Sequence, residues 1–105
     1  MKKLQREIAD FVDKRNWSQF HSPKNLAMAL TVETAELLEI FQWMTAKESY
    51  NLDPEILEHA EQEIGDVMIY LTTLAASLGL DPLTAAKKKI RINAVKYPPD
   101  KNKID

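Results

Sequence analysis

Residues 54–78 read PEILEHAEQEIGDVMIYLTTLAASL, with Asp53 before them and Gly79 after. Asp followed by Pro is a helix start. The carboxylate can accept from free backbone N–H groups of the first turn, and the fixed φ of proline suits the first helical position. Glycine supplies the left-handed residue on which many helices stop. Between these signals Leu57, Ala60, Ile64, Val67, Leu71, Leu74, Ala75 and Leu78 recur at steps of three and four. The segment predicts one long helix with a core stripe. Glu63 and Asp66 stand three apart on one face of the same helix.

The same punctuation recurs on either side. Ser22-Pro23 opens a helix that continues to about Met44, and Asp81-Pro82 opens one that ends before Tyr97-Pro98-Pro99. Upstream, Leu4, Ile8, Phe11 and Val12 form a stripe on a first helix from about Lys2 to Arg15. No stretch alternates with period 2, so the expected class is all-α, a four-helix bundle. Residues 1–105 form one domain, and about 98–105 are a polar tail. In the second helix Leu26, Ala27, Met28, Ala29, Leu30 and Val32 cover nearly the whole circumference. A helix apolar all round is buried all round, which needs more partners than a chain this short provides. A homo-oligomer is expected, a dimer or tetramer, with this helix at or near the interface.

Composition narrows the chemistry. Among 105 residues there is no Cys, which removes a disulfide scaffold, a thiol nucleophile and thiolate metal sites. Two glycines, Gly65 and Gly79, start neither a P-loop nor a dinucleotide fingerprint. A net charge of -2 gives no global attraction to a nucleic acid polymer or an anionic membrane. The most apolar run, Val67 to Leu80, is too short to span a bilayer, and the N-terminus lacks the apolar stretch of a signal peptide. A cytoplasmic protein is expected. The charge is uneven: positions 25–86 hold one basic residue, Lys47, against eleven acidic ones, and both ends are cationic.

Glu33, Glu36 and Glu39 step round the second helix by 60° each. Glu33 and Glu36 interrupt an otherwise apolar helix, where like charges need compensation. Set against Glu63 and Asp66 on an antiparallel neighbour, two such pairs converge on one volume. Hard oxygen donors of this kind suit Mg²⁺, with Mn²⁺ as the alternative. The Glu-x-x-His pairs of di-iron bundles are absent, because Ser18 and Ile56 stand three before His21 and His59. HExxH is absent too, and His59 reads as surface. A Mg²⁺ cluster of carboxylates alone is typical of phosphoryl or nucleotidyl substrates.

Glu33-x-x-Glu36 followed by Glu63-x-x-Asp66 resembles the signature of the all-α NTP pyrophosphatases, the MazG-like superfamily. NWSQFHSPKNLAMAL, VETAELLEIFQW, EQEIGDVMIYL and KKKIRINAVKYP are similar to its dCTP pyrophosphatase branch, and the match runs from about residue 5 to Pro98. The resemblance implies a homo-oligomeric enzyme that hydrolyses a nucleoside triphosphate, dCTP or a modified pyrimidine deoxynucleotide, to the monophosphate and pyrophosphate. It implies Glu33, Glu36, Glu63 and Asp66 as Mg²⁺ ligands, and Trp17, His21, Trp43, Tyr70, Lys89 and Asn93 as lining the nucleotide pocket. One position departs: where some members carry a His on the first helix, this sequence has Ile8. The helical wheel sets Trp43 seven after Glu36, and Tyr70 four after Asp66, where a base could stack. Glu36 and Glu39 are candidates for the carboxylate that takes the proton of the attacking water. The rival is a non-catalytic regulatory helical protein that binds nucleotide or metal. A degenerate member of that kind would have lost one of the acids or aromatics, and none is lost here.

Overall fold

Three of the four helices begin where a polar residue meets a proline. The computed structural model describes residues 1–99 and contains four α-helices with no strand among them. They are α1 (Lys2–Lys14), α2 (Pro23–Phe41), α3 (Pro54–Ser77) and α4 (Pro82–Lys96), with short 3₁₀ turns at Ser18–Phe20 and Glu48–Tyr50. Most of the expected polar tail, from position 100 on, lies outside the described residues.

Ser22 Oγ accepts from the Asn25 amide at 3.1 Å, and Asp81 Oδ2 accepts from the Thr84 amide at 2.9 Å. These bonds satisfy first-turn N–H groups that have no partner inside the helix. Asp53 makes no such bond, so α3 starts on proline geometry without a side-chain cap. α2 stops at Phe41 rather than Met44. The backbone tightens there, and the Met44 amide donates to the Phe41 carbonyl at 2.9 Å, an i, i+3 turn. The loop beyond is fixed by a reciprocal pair. Glu48 Oε1 accepts from the Thr45 amide at 2.9 Å and Thr45 Oγ1 from the Glu48 amide at 3.1 Å.

α1 and α3 end in the same way. Asn16 at φ 57° and Gly79 at φ 69° adopt the left-handed conformation just past each helix. The next amide then donates to the carbonyl five residues back, Trp17 to Val12 at 3.2 Å and Leu80 to Ala75 at 2.8 Å. The Gly79 stop is the one expected; the Asn16 stop is additional.

α2 and α3 pack side by side and antiparallel. Leu26 shares a cavity wall with Thr72 and Thr73, Glu36 lies by Glu63, and Ile40 lies by Ile56. α1 covers the other end of this pair through Ile8 and Val12, the two buried residues of that helix. The buried core is small: Ile8, Val12, Leu26 and Ala60, with Glu63 and Thr72 buried among them.

The stripe expected to form the α3 core is turned mostly outward. Leu57, Ile64 and Leu78 are each more than half exposed. The reason is that the acid-bearing sides of α2 and α3 meet each other, which leaves the apolar stripe of α3 uncovered. On α2, Met28 and Val32 are also more than half exposed. α4 leaves α3 at 88° and buries no side chain. Its start packs on the end of α3 around Leu74, Leu78 and Pro82, while Ile90, Ile92 and Val95 face outward. The radius of gyration is 17.4 Å, against about 13 Å for a compact chain of this length. No single helix among the described residues is long and apolar enough to cross a membrane.

Candidate metal centre

Antiparallel packing brings the two acidic pairs into one place. Glu33 and Glu36 of α2 and Glu63 of α3 each offer a carboxylate oxygen, and these oxygens all lie within 4.8 Å of one another. Glu63 is buried, Glu33 half-buried and Glu36 exposed, so the cluster has a dry floor and an open mouth. Asp66, the fourth expected ligand, stands outside that tightest set. It is near enough for its charge to act on Glu33. Burial first, then the charges of Glu36, Asp66 and Glu63, push the Glu33 carboxyl up to about 7.

These residues fit a divalent cation on their own chemistry. One oxygen of Glu33 and one of Glu63 are buried without any hydrogen-bond donor. Buried carboxylate oxygens are normally paired, and several crowded together repel. A divalent cation among hard oxygen donors would remove both penalties.

The mouth of the cluster opens into a cavity of about 490 Å³ lined by Glu36, Glu39, Ile40, Ile56, His59 and Glu63. Glu39 is among the residues that line it. His59, read from the sequence as surface, has its Nε2 3.5 Å from Glu63 Oε1. The signal was its spacing of four residues from Glu63, which stacks the two on one helix face.

The other expected pocket residues are dispersed within one chain. Tyr70 is half-buried on α3, one turn beyond Asp66. Trp43 is 89% exposed just past the end of α2. Since α2 and α3 are antiparallel, the wheel that put both aromatics beside the acids places them on opposite sides of the cluster. By helix rise they lie about 20 Å apart along the axis, too far to stack on one base. Trp17 packs edge-on against Phe11, ring centroids 5.6 Å apart, with Arg15 3.6 Å above the Phe11 ring. His21 lines a second cavity of about 310 Å³ at the far end, between α1 and α3. It does not cap α2; Ser22 does. Lys89 and Asn93 ride on α4, and about 16 Å of α3 separates Asp66 from the point where α4 turns away. The single chain does not bring them to the acids.

A sequence model of the MazG-like family matches residues 28–104. The chain is similar to dCTP pyrophosphatase 1 from Homo sapiens, 40% identical over 97 residues, and to dCTP pyrophosphatase 1 from Rattus norvegicus, 38% identical. In both cases the match covers 90% of this chain and 57% of the relative, so the chain spans under three fifths of their length. A crystal structure of a pyrophosphatase from Archaeoglobus fulgidus superposes with a TM-score of 0.83 and 41% identity, over 94% of this chain and 93% of that one.

Proposed function

The chain belongs to the MazG-like family, and from that premise we propose that it is a metal-dependent nucleoside triphosphate pyrophosphohydrolase. The observation that carries the reading is the set of three carboxylates within 4.8 Å of one another, two of them with a buried oxygen that no donor reaches. Such a set is costly in a bare protein and useful to one that handles phosphate through a cation. The substrate class is a deoxynucleoside triphosphate, dCTP or a modified pyrimidine analogue. The support is the name of the human and rat relatives, dCTP pyrophosphatase 1. A cytoplasmic setting, where such nucleotides occur, goes with this reading.

Glu33, Glu36, Glu63 and Asp66 would hold the cation, Mg²⁺ or Mn²⁺. When bound it supplies charge neutralisation at phosphate oxygens and a lowered pKa for water. Glu36 or Glu39, at the open mouth, accepts a proton from the attacking water. The water oxygen bonds to the α-phosphorus, the bond from that phosphorus to the α–β bridging oxygen breaks, and pyrophosphate leaves with the electron pair. Glu63 is buried, so that side of the cluster is shielded from bulk water.

Trp17, His21, Trp43, Tyr70, Lys89 and Asn93 are assigned to nucleotide binding in a homodimer or homotetramer. The uncovered stripe Leu57, Ile64 and Leu78 and the outward Ile90, Ile92 and Val95 support assembly. A second copy can supply the aromatic and basic groups that one chain keeps away from its own acids.

The test is a panel of deoxy- and ribonucleoside triphosphates with Mg²⁺ or Mn²⁺, resolving pyrophosphate from inorganic phosphate. Monophosphate and pyrophosphate from a pyrimidine deoxynucleotide are expected. Diphosphonucleotide and phosphate would refute the bond assigned. Binding without turnover would favour the regulatory alternative.

A further inference from the structure

We propose that His59 is a metal-facing residue of the acidic cluster, its imidazole Nε2 joining Glu63 Oε1 on one divalent cation and tilting the site from Mg²⁺ toward Mn²⁺. The inference rests on the metal-dependent reading above and adds a nitrogen donor to a site otherwise made of carboxylates.

Three observations carry it. Nε2 and Oε1 are 3.5 Å apart. Two donors on one cation, each about 2.1 Å from it, lie no more than about 4.2 Å from each other, so one ion can touch both. The residues are four apart on α3, the spacing by which two side chains on one helix face share a metal. Both line the same cavity as Glu36 and Glu39 of α2; Glu63 is also one of the three carboxylates that lie within 4.8 Å of one another, and His59 stands just outside that set. Glu63 itself is buried and keeps its Oε2 without a donor, so the contact with His59 leaves its second oxygen free.

The chemical consequence follows from ligand type. Mg²⁺ takes oxygen almost exclusively, whereas imidazole suits later first-row ions, and affinity at a mixed nitrogen and oxygen site rises along the series that starts at Mn²⁺. A site with His59 in reach therefore gains affinity for Mn²⁺ and little for Mg²⁺. The His59 side chain is 57% exposed, so its removal leaves the packing of α2 on α3 intact.

The experiment uses the whole protein without nucleotide. Mn²⁺ and Mg²⁺ binding are measured by calorimetry for the wild type and His59→Ala, and the Mn²⁺-loaded forms are examined by electron spin-echo spectroscopy for coupling to ¹⁴N. The expected result is a nitrogen coupling in the wild type that disappears in His59→Ala. Mn²⁺ affinity should fall on the order of tenfold, and Mg²⁺ affinity should change less than about twofold. Mn²⁺ binding without nitrogen coupling overturns the inference and leaves the proposed function standing. Equal losses for the two ions, with no coupling, also overturn it and give His59 only an outer role toward Glu63. Failure of the wild type to bind either ion overturns this inference and the metal-dependent reading together.

Discussion

Glu33 of α2 and Glu63 of α3 face each other across the helix pair, each with one carboxylate oxygen buried and without a donor. Either acid alone would be ordinary on a solvated helix. Packed together they oppose the fold, and they do so within the interface between the two longest helices. The stability of the bare protein and the occupancy of the site are therefore linked, which makes the metal reading testable without substrate.

Stability without metal should fall as pH rises. The Glu33 carboxyl is raised from 4.5 to about 7, by burial first and then by its acidic neighbours. Between those values the folded chain binds more protons than the unfolded one, so each step up in pH favours unfolding. The penalty is absent below the unfolded value and complete above the folded one. In chelator, the melting temperature should drop from the lower end of this window to the upper. Saturating Mn²⁺ or Mg²⁺ should shrink the drop. A melting temperature in chelator that is flat across the window would contradict the crowding.

Glu63→Gln should separate stability from activity. The amide keeps the shape of the side chain and removes one charge from the buried set. In chelator near neutral pH the variant should melt higher than the wild type. With Mn²⁺ or Mg²⁺ its turnover should fall more than about 100-fold, roughly 3 kcal/mol of barrier. Strong destabilisation of the metal-free variant would instead mark Glu63 as a structural acid.

Thr72 tests the small core. It is completely buried and its hydroxyl has no partner, whereas the neighbouring Thr73 hydroxyl donates to the Ile69 carbonyl at 2.7 Å. An unpaired buried hydroxyl costs about 1–3 kcal/mol, so Thr72→Val should stabilise, by about 1 kcal/mol or more. For a domain of this size that is a rise of roughly 4–8 °C in melting temperature. A lower melting temperature would mean that the hydroxyl finds a partner in solution.

The helix starts at Ser22-Pro23, Asp53-Pro54 and Asp81-Pro82 and the stop at Gly79 were legible, because each signal acts on its own backbone. The meeting of Glu33, Glu36 and Glu63 was legible from spacing once antiparallel neighbours were assumed. Three things were not. Periodicity shows that Leu57, Ile64 and Leu78 form a stripe, but not whether the same chain covers it. A helical wheel gives the angles of Trp43 and Tyr70 but not their positions along two helices that run in opposite directions. The stop at Asn16 needs a non-glycine residue at φ 57°, which composition alone does not announce.

The uncovered stripe makes a prediction about mass. Apolar side chains along α3 and α4 are exposed in one chain, and its radius of gyration, 17.4 Å, is that of an extended body. Burying a large apolar side chain contributes about 1.5–3 kcal/mol, so several of them on two helices supply enough to hold copies together. Light scattering should give a multiple of 12.0 kDa at micromolar concentration. Ile64→Glu sets a charge at an exposed position in the middle of the stripe, and should shift the mass toward the single chain while circular dichroism stays helical. Turnover should fall with it. Trp43 and Lys89 stand far from the acids of their own chain, so a dissociated copy keeps its metal ligands and loses its nucleotide contacts. Metal binding by the dissociated variant should persist when hydrolysis is lost. A wild type of 12.0 kDa, fully active, would show that one chain completes the site by itself and that the stripe serves another purpose.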